Sequence, residues 1–159
     1  MSLATLMLEQ LAVARHIIED GEEVVPAWRI TTPDGAFLIF TRFDTVEQRE
    51  RAIILVSRFM AWKMASSFVL TDEPWLGADG EDAVFIIGVS AHERLAVLQR
   101  IKWEDGVSFS QPMWLARHHV DDCYCAMLPQ GETEITAEEE AVLTRIFGKD
   151  GELPAIRVN

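Results

Sequence analysis

Only two of the 159 residues are cysteine, Cys123 and Cys125. The single residue between them leaves a disulfide only in strained geometry, so nothing in the chain requires an oxidising compartment. Basic residues are scarce as well: 14 Lys and Arg stand against 26 Asp and Glu, a formal net charge of -12. No stripe of Lys and Arg offsets that charge, and its sign repels a phosphate backbone, which argues against direct nucleic-acid binding. Long apolar runs are missing too. The longest, Ala52 to Met64, contains Arg58 and Lys63 and falls short of the roughly 20 residues that span a bilayer. Met1 to Glu9 has no basic region ahead of its apolar positions, so no signal peptide is expected and the protein is read as cytoplasmic. A Gly-rich phosphate loop, a dinucleotide fingerprint and a His-Glu-x-x-His zinc motif are all absent, and no cofactor is expected.

What is present is enough apolar material for a core. Hydrophobic residues make up 49% of the chain, and a chain of this length fits one domain, 1–159. From Ser2 to Asp20 the apolar positions Leu3, Leu6, Met7, Leu11, Ala14, Ile17 and Ile18 recur at helical spacing, with Ser2 as cap and Gly21 as stop. Ala27–Thr31 and Ala36–Phe43 flank Thr32-Pro33-Asp34-Gly35, the chemistry of a hairpin turn. Asp44 followed by Glu47 opens a helix. Its later residues, Ile53 to Met64, are apolar around nearly the whole circumference, which places it at the centre of the fold or in a subunit interface.

Ser67–Thr71 and Ala83–Val89 read as strands separated by an acidic loop, 72–82. Arg94–Trp103 suits either periodicity. The turn residues Glu104-Asp105-Gly106 ahead of Val107–Ser110 decide for strand and hairpin. Ala116–Leu128 reads as a weakly patterned helix. Ile135–Phe147 reads as a firmer one, with Thr136 as cap, Glu139 as its partner and Gly148 as stop, followed by an extended tail, 149–159. Elements in this order do not alternate as in a parallel fold. The expected class is therefore α+β, with a largely antiparallel sheet of five to six strands packed with a central apolar helix, an N-terminal helix and C-terminal helices.

Three clusters could carry chemistry. His118, His119, Asp122, Cys123 and Cys125 are the residue types that ligate zinc, and a metal-dependent enzyme built on them is one reading. Their donors crowd one short segment, however, and two more from elsewhere would be needed. The bland alternative is a solvent-facing histidine pair with two half-buried thiols. Gly88-Val89-Ser90-Ala91-His92 departs from the nucleophile elbow where His92 replaces the last glycine, and no acid and second histidine follow in the right order. In the acidic loop, Asp72, Glu73 and Trp75 would suit recognition if the indole is exposed, and Trp75 would otherwise fold onto the core. Five tryptophans, Trp28, Trp62, Trp75, Trp103 and Trp114, default to core anchors.

The run Met60 to Trp75, a helix passing into a strand that ends in Asp72-Glu73-Pro74-Trp75, followed by Ala83 to Val89, resembles small bacterial and phage-associated proteins of unknown function. The resemblance covers about a third of the chain and implies no catalytic residue. The function expected from all this is a non-enzymatic binding or protein-interaction module, linked to a mobile element or phage. It would self-associate as a homodimer through the helix 53–64. A weaker alternative is an acidic decoy that mimics DNA, drawn from the net charge and the run Glu132 to Glu140. The bland reading of that run is a solvated helix start, where carboxylates favour the dipole.

Overall fold

The computed structural model describes residues 1–72, 75–76, 82–131 and 134–158, with 75, 76 and 118 described by their backbone alone. The first helix, α1 (Leu3–Glu19), begins where Ser2 Oγ accepts the Thr5 amide at 3.2 Å, and it buries the expected stripe of Leu3, Leu6, Met7, Leu11, Ala14 and Ile18. Strands β1 (Ala27–Thr32) and β2 (Gly35–Phe40) form the hairpin. Thr32 Oγ1 closes the turn by accepting from the Asp34 amide and donating to the Gly35 carbonyl at 2.8 Å. Helix α2 (Val46–Lys63) starts one residue later than expected. Thr45, not Asp44, caps it, and Gln48 Oε1 reaches back to the Asp44 amide at 2.7 Å, a reciprocal box shifted by one position.

Strands β3 (Ser67–Thr71), β4 (Trp75–Leu76), β5 (Asp82–Ser90) and β6 (Arg94–Lys102) follow, then β7 (Ser108–Phe109) and β8 (Met113–Leu115). Arg94–Lys102 is a strand, as the turn chemistry argued, and it folds back onto β7 through Asp105 and Gly106, both at positive φ. A single 3-10 turn (Arg117–His119) leads to the short α3 (Asp122–Cys125), then α4 (Ala137–Phe147) and β9 (Ala155–Val158).

Among the described residues the sheet has nine strands in the order β7-β6-β5-β3-β1-β2-β9, with β4 on β5 and β8 on β6. Every pairing is antiparallel. The α+β class and the antiparallel sheet hold, but five to six strands was too few. The additions β4, β8 and β9 run two to four residues each, too short for an alternating pattern to show. The expected helix over Ala116–Leu128 is also corrected. Val120 is extended and the Asp121 carboxylate takes the Cys123 amide at 3.1 Å, so a local side-chain bond restarts the backbone and leaves only the four residues of α3. The tail is extended, as expected, and β9 pairs with β2 at the edge of the sheet.

Each face of the sheet has its own core. On one, α2, α3 and α4 cover Trp28, Ile30, Phe37, Ile39, Phe68, Leu70, Ile87 and Val89. On the other, α1 covers Val69, Val84, Ile86, Val97 and Ile101, which belong to β3, β5 and β6 only. The period-2 alternation of β3 and β5 feeds both. Helix α2 buries Ala52, Val56, Phe59, Met60 and Ala61, while Arg58 is paired with Glu139 at the start of α4. The chain's own C-terminal helix therefore occupies much of the flank that suggested a dimer, and within 53–64 the exposed large apolar residues are Ile54 and Met64. No described helix is long and apolar enough to cross a membrane.

Candidate functional site

Where β1 begins and β2 and β3 end, polar groups from five segments meet over Trp28. Trp28 is buried, and its indole N–H donates to Thr41 Oγ1 at 2.9 Å. The Tyr124 ring of α3 lies 6.2 Å from it. Arg49, in the first turn of α2, donates to the Tyr124 hydroxyl, and its guanidinium stands 5.8 Å from the ring centroid. Asp72 follows directly on β3, its amide donating to the Phe85 carbonyl at 3.0 Å, and its charge acts on both Arg49 and Tyr124.

Burial raises the Tyr124 pKa above its ordinary value, Arg49 opposes it, and Asp72 adds to it, so the phenol stays protonated through neutral pH. Partial burial works against the Arg49 charge, but Tyr124, Asp72 and Cys123 outweigh it and keep the guanidinium charged. The cluster thus pins α2, α3 and the exit of β3 together. Neither group changes charge near neutral pH, so the brace holds its charge pattern there.

The zinc-like residues are placed apart in role. Asp122 pairs with Arg94 at 3.2 Å, Asp121 caps α3, and the Cys125 thiol donates to the Asp121 carbonyl at 3.6 Å. His119 lies with Arg94, Arg117 and Asp122 along an open cleft of about 1020 Å³ where both charge signs mix. Among the described residues no three of His, Cys, Asp and Glu stand close enough to share a metal, and the His118 side chain lies outside them. Burial and then the Asp121 carboxylate raise the Cys123 pKa, and burial followed by the carboxylates Asp122 and Asp121, against Arg94, raises that of Cys125. A thiol that stays protonated is a poor nucleophile. Iodoacetamide at pH 7 is therefore expected to alkylate both cysteines more slowly than a free cysteine, with the rate climbing only in alkali. A mass-spectrometric time course reads this directly, and fast labelling at pH 7 would contradict it.

Of the residues expected in recognition, Asp72 belongs to the brace just described. Glu73 lies outside the described residues, and Trp75 is placed by its backbone in β4, paired with Ala83. The expectation that the tryptophans are core anchors holds for Trp28. Trp103 and Trp114 are exposed near the β7 and β8 edge, and the Trp103 indole donates to Asp82 at 2.7 Å.

A surface that the sequence did not single out lies on the α1 side of β1, β2 and β9. Helix α1 sits over β3, β5 and β6, so among the described residues this third of the sheet has no helix packed over it. Leu38 pairs with Ile156, and Phe40 is next on the same face of β2. Phe40 is 44%, Ile156 49% and, on the adjoining flank of α1, Val13 52% exposed. Between helix and sheet runs a trough of about 200 Å³, walled by Val13 and Ile17, floored by Leu38 and Phe40, and flanked by Glu22 and Glu23. Two surface ion pairs border it, Glu9 with Arg29 at 3.4 Å and Glu23 with Arg42 at 3.7 Å. A signal for this surface existed. Ala36-Phe37-Leu38-Ile39-Phe40 is apolar on both strand faces, which implies cover on both, and the described helices supply it on one.

No protein-family model, curated protein or solved structure matches the chain.

Proposed function

We propose that the protein is a non-enzymatic binding module that docks a partner protein on the open face of β1, β2 and β9 beside α1. One observation carries the reading. Half-buried Leu38 and exposed Phe40 and Ile156 lie side by side on a sheet face that no described helix covers, and Val13 extends them onto α1. Scattered apolar residues are ordinary on a surface, whereas a contiguous apolar strip with a polar border is how interaction sites look. Fully burying a side chain of phenylalanine size contributes about 1.5–3 kcal/mol, enough for Phe40 to anchor an interface.

Homodimerisation through 53–64 is not part of this reading, because α4 and the residues after α3 pack on that helix. A link to phage or mobile elements rests only on the resemblance of Met60 to Trp75 and Ala83 to Val89 and does not bear on the site. The acidic-decoy alternative is not carried further: Glu139 pairs with Arg58, and Glu138 and Glu140 sit in the first turn of α4, where the helix dipole favours them.

The test is affinity capture with the full chain against its Phe40→Glu and Ile156→Glu variants. Both residues are exposed, so the variants are expected to keep the wild-type melting temperature while losing the captured protein. An unchanged captured set in both variants would remove the trough from the interface.

A further inference from the structure

We infer that the trough's occupant is a basic segment of another protein, one that sets a large apolar side chain between lysines or arginines. This rests on the binding-module reading and names its partner. Size comes first: about 200 Å³ is below the roughly 300–1,000 Å³ of small-molecule pockets, and it suits one or two anchoring side chains. The walls decide what those are, because Val13, Ile17, Leu38 and Phe40 give an apolar anchor its desolvation, with Gln10 and Thr71 the uncharged polar side chains in the lining.

Charge decides the rest. Glu22 and Glu23 flank the trough; Arg42 is paired with Glu23 and Arg29 with Glu9, so the carboxylates Glu9, Glu22 and Glu23 outnumber the two nearby cations by one, Glu22. A cation flanking the anchor therefore meets carboxylate, while an acidic flank meets repulsion. At longer range the chain's net charge of -12 attracts a basic partner and repels a second copy of itself, within a screening distance of about 8–10 Å at cellular salt.

The experiment uses the full chain and two synthetic peptides with the same leucine and phenylalanine anchors, one flanked by lysines and the other by glutamates, followed by fluorescence anisotropy. The lysine peptide is expected to bind at least about tenfold tighter and to weaken as salt rises. A Glu22→Lys/Glu23→Lys variant should lose about tenfold of that affinity, and a Glu138→Lys/Glu140→Lys variant, the same charge change at α4 behind the sheet, should stay within about twofold. Phe40→Glu should abolish binding. Equal affinity for the two peptides, equal losses from the two charge-reversed variants, or binding that survives Phe40→Glu overturns the inference. If the lysine peptide fails while Phe40→Glu still releases a captured protein, the binding-module reading stands and the basic occupant falls. If both fail, the surface itself falls. Self-association that Phe40→Glu abolishes gives the trough to a second copy and also overturns the inference.

Discussion

Replacing Trp28 by alanine is expected to destabilise the protein by about 3–5 kcal/mol, a large part of the 5–15 kcal/mol that holds a typical domain together. The residue is 2% exposed and lies 5.6 Å from the Phe68 ring and 6.2 Å from that of Tyr124, so its removal opens a cavity between β1, β3 and α3 at once. Neither ring can collapse freely into the gap, because Phe68 is fixed in the middle strand and Tyr124 is held by Arg49. Truncation also strands the Thr41 hydroxyl, which is buried and bonded to the indole. Thr41→Val isolates that last part, keeping the shape while leaving the indole N–H unpaired, and should cost about 1–3 kcal/mol. Denaturation in guanidinium followed by circular dichroism measures both. A loss below about 1 kcal/mol for Trp28→Ala would mean that the brace at this end of the sheet is not a core element.

The second large effect is expected at Gly88. A Cβ at this position of β5 would stand 2.5 Å from Met7 Sδ, 3.0 Å from Met7 Cγ and 3.1 Å from Leu3 Cγ. The missing side chain is what lets α1 lie against the sheet. Met7 is flexible but fully buried, so its sulfur has no solvent to move into. Overpacking of this kind costs about 1–3 kcal/mol, with Gly88→Ala expected at the lower end and Gly88→Val at or beyond the upper. Because α1 forms one wall of the trough, Gly88→Val should also alter the exchange protection of Val13 and Ile17. Hydrogen exchange on the variant, read beside its denaturation midpoint, checks both consequences. Wild-type stability in Gly88→Val would show that α1 is not seated through this contact.

Much of the framework was legible in the residues. The stripe from Leu3 to Ile18, the Thr32-Pro33-Asp34-Gly35 turn, the cap at Thr136 and the break at Gly148 each carry local chemistry that acts over a few residues, and each sits where that chemistry puts it. Arg94–Lys102 shows local turn chemistry settling what periodicity left open. The misreadings came where the deciding interaction is distant or very short. Met113–Leu115 is a strand because Val97 and its neighbours offer an edge, and Ala155–Val158 because β2 does. Asp121 ended one helix pattern and began another through a single side-chain bond.

The candidate site followed the same division. Residue types pointed to His118–Cys125 and to Asp72–Trp75, because composition names chemistry. Yet Asp121 caps α3, Asp122 pairs with Arg94 and the Cys125 thiol donates to the Asp121 carbonyl, while Asp72 stands in a brace with Arg49 and Tyr124, 23 and 52 residues away in the chain by their numbers. By itself the sequence determined the charge, the local elements and the α+β class, since these follow from propensity, caps and turn residues. Only the tertiary structure decided that α1 covers β3, β5 and β6 and leaves Phe40 and Ile156 exposed beside a half-buried Leu38. Exposure is a property of which layers meet, and no periodicity within one strand records what packs above it.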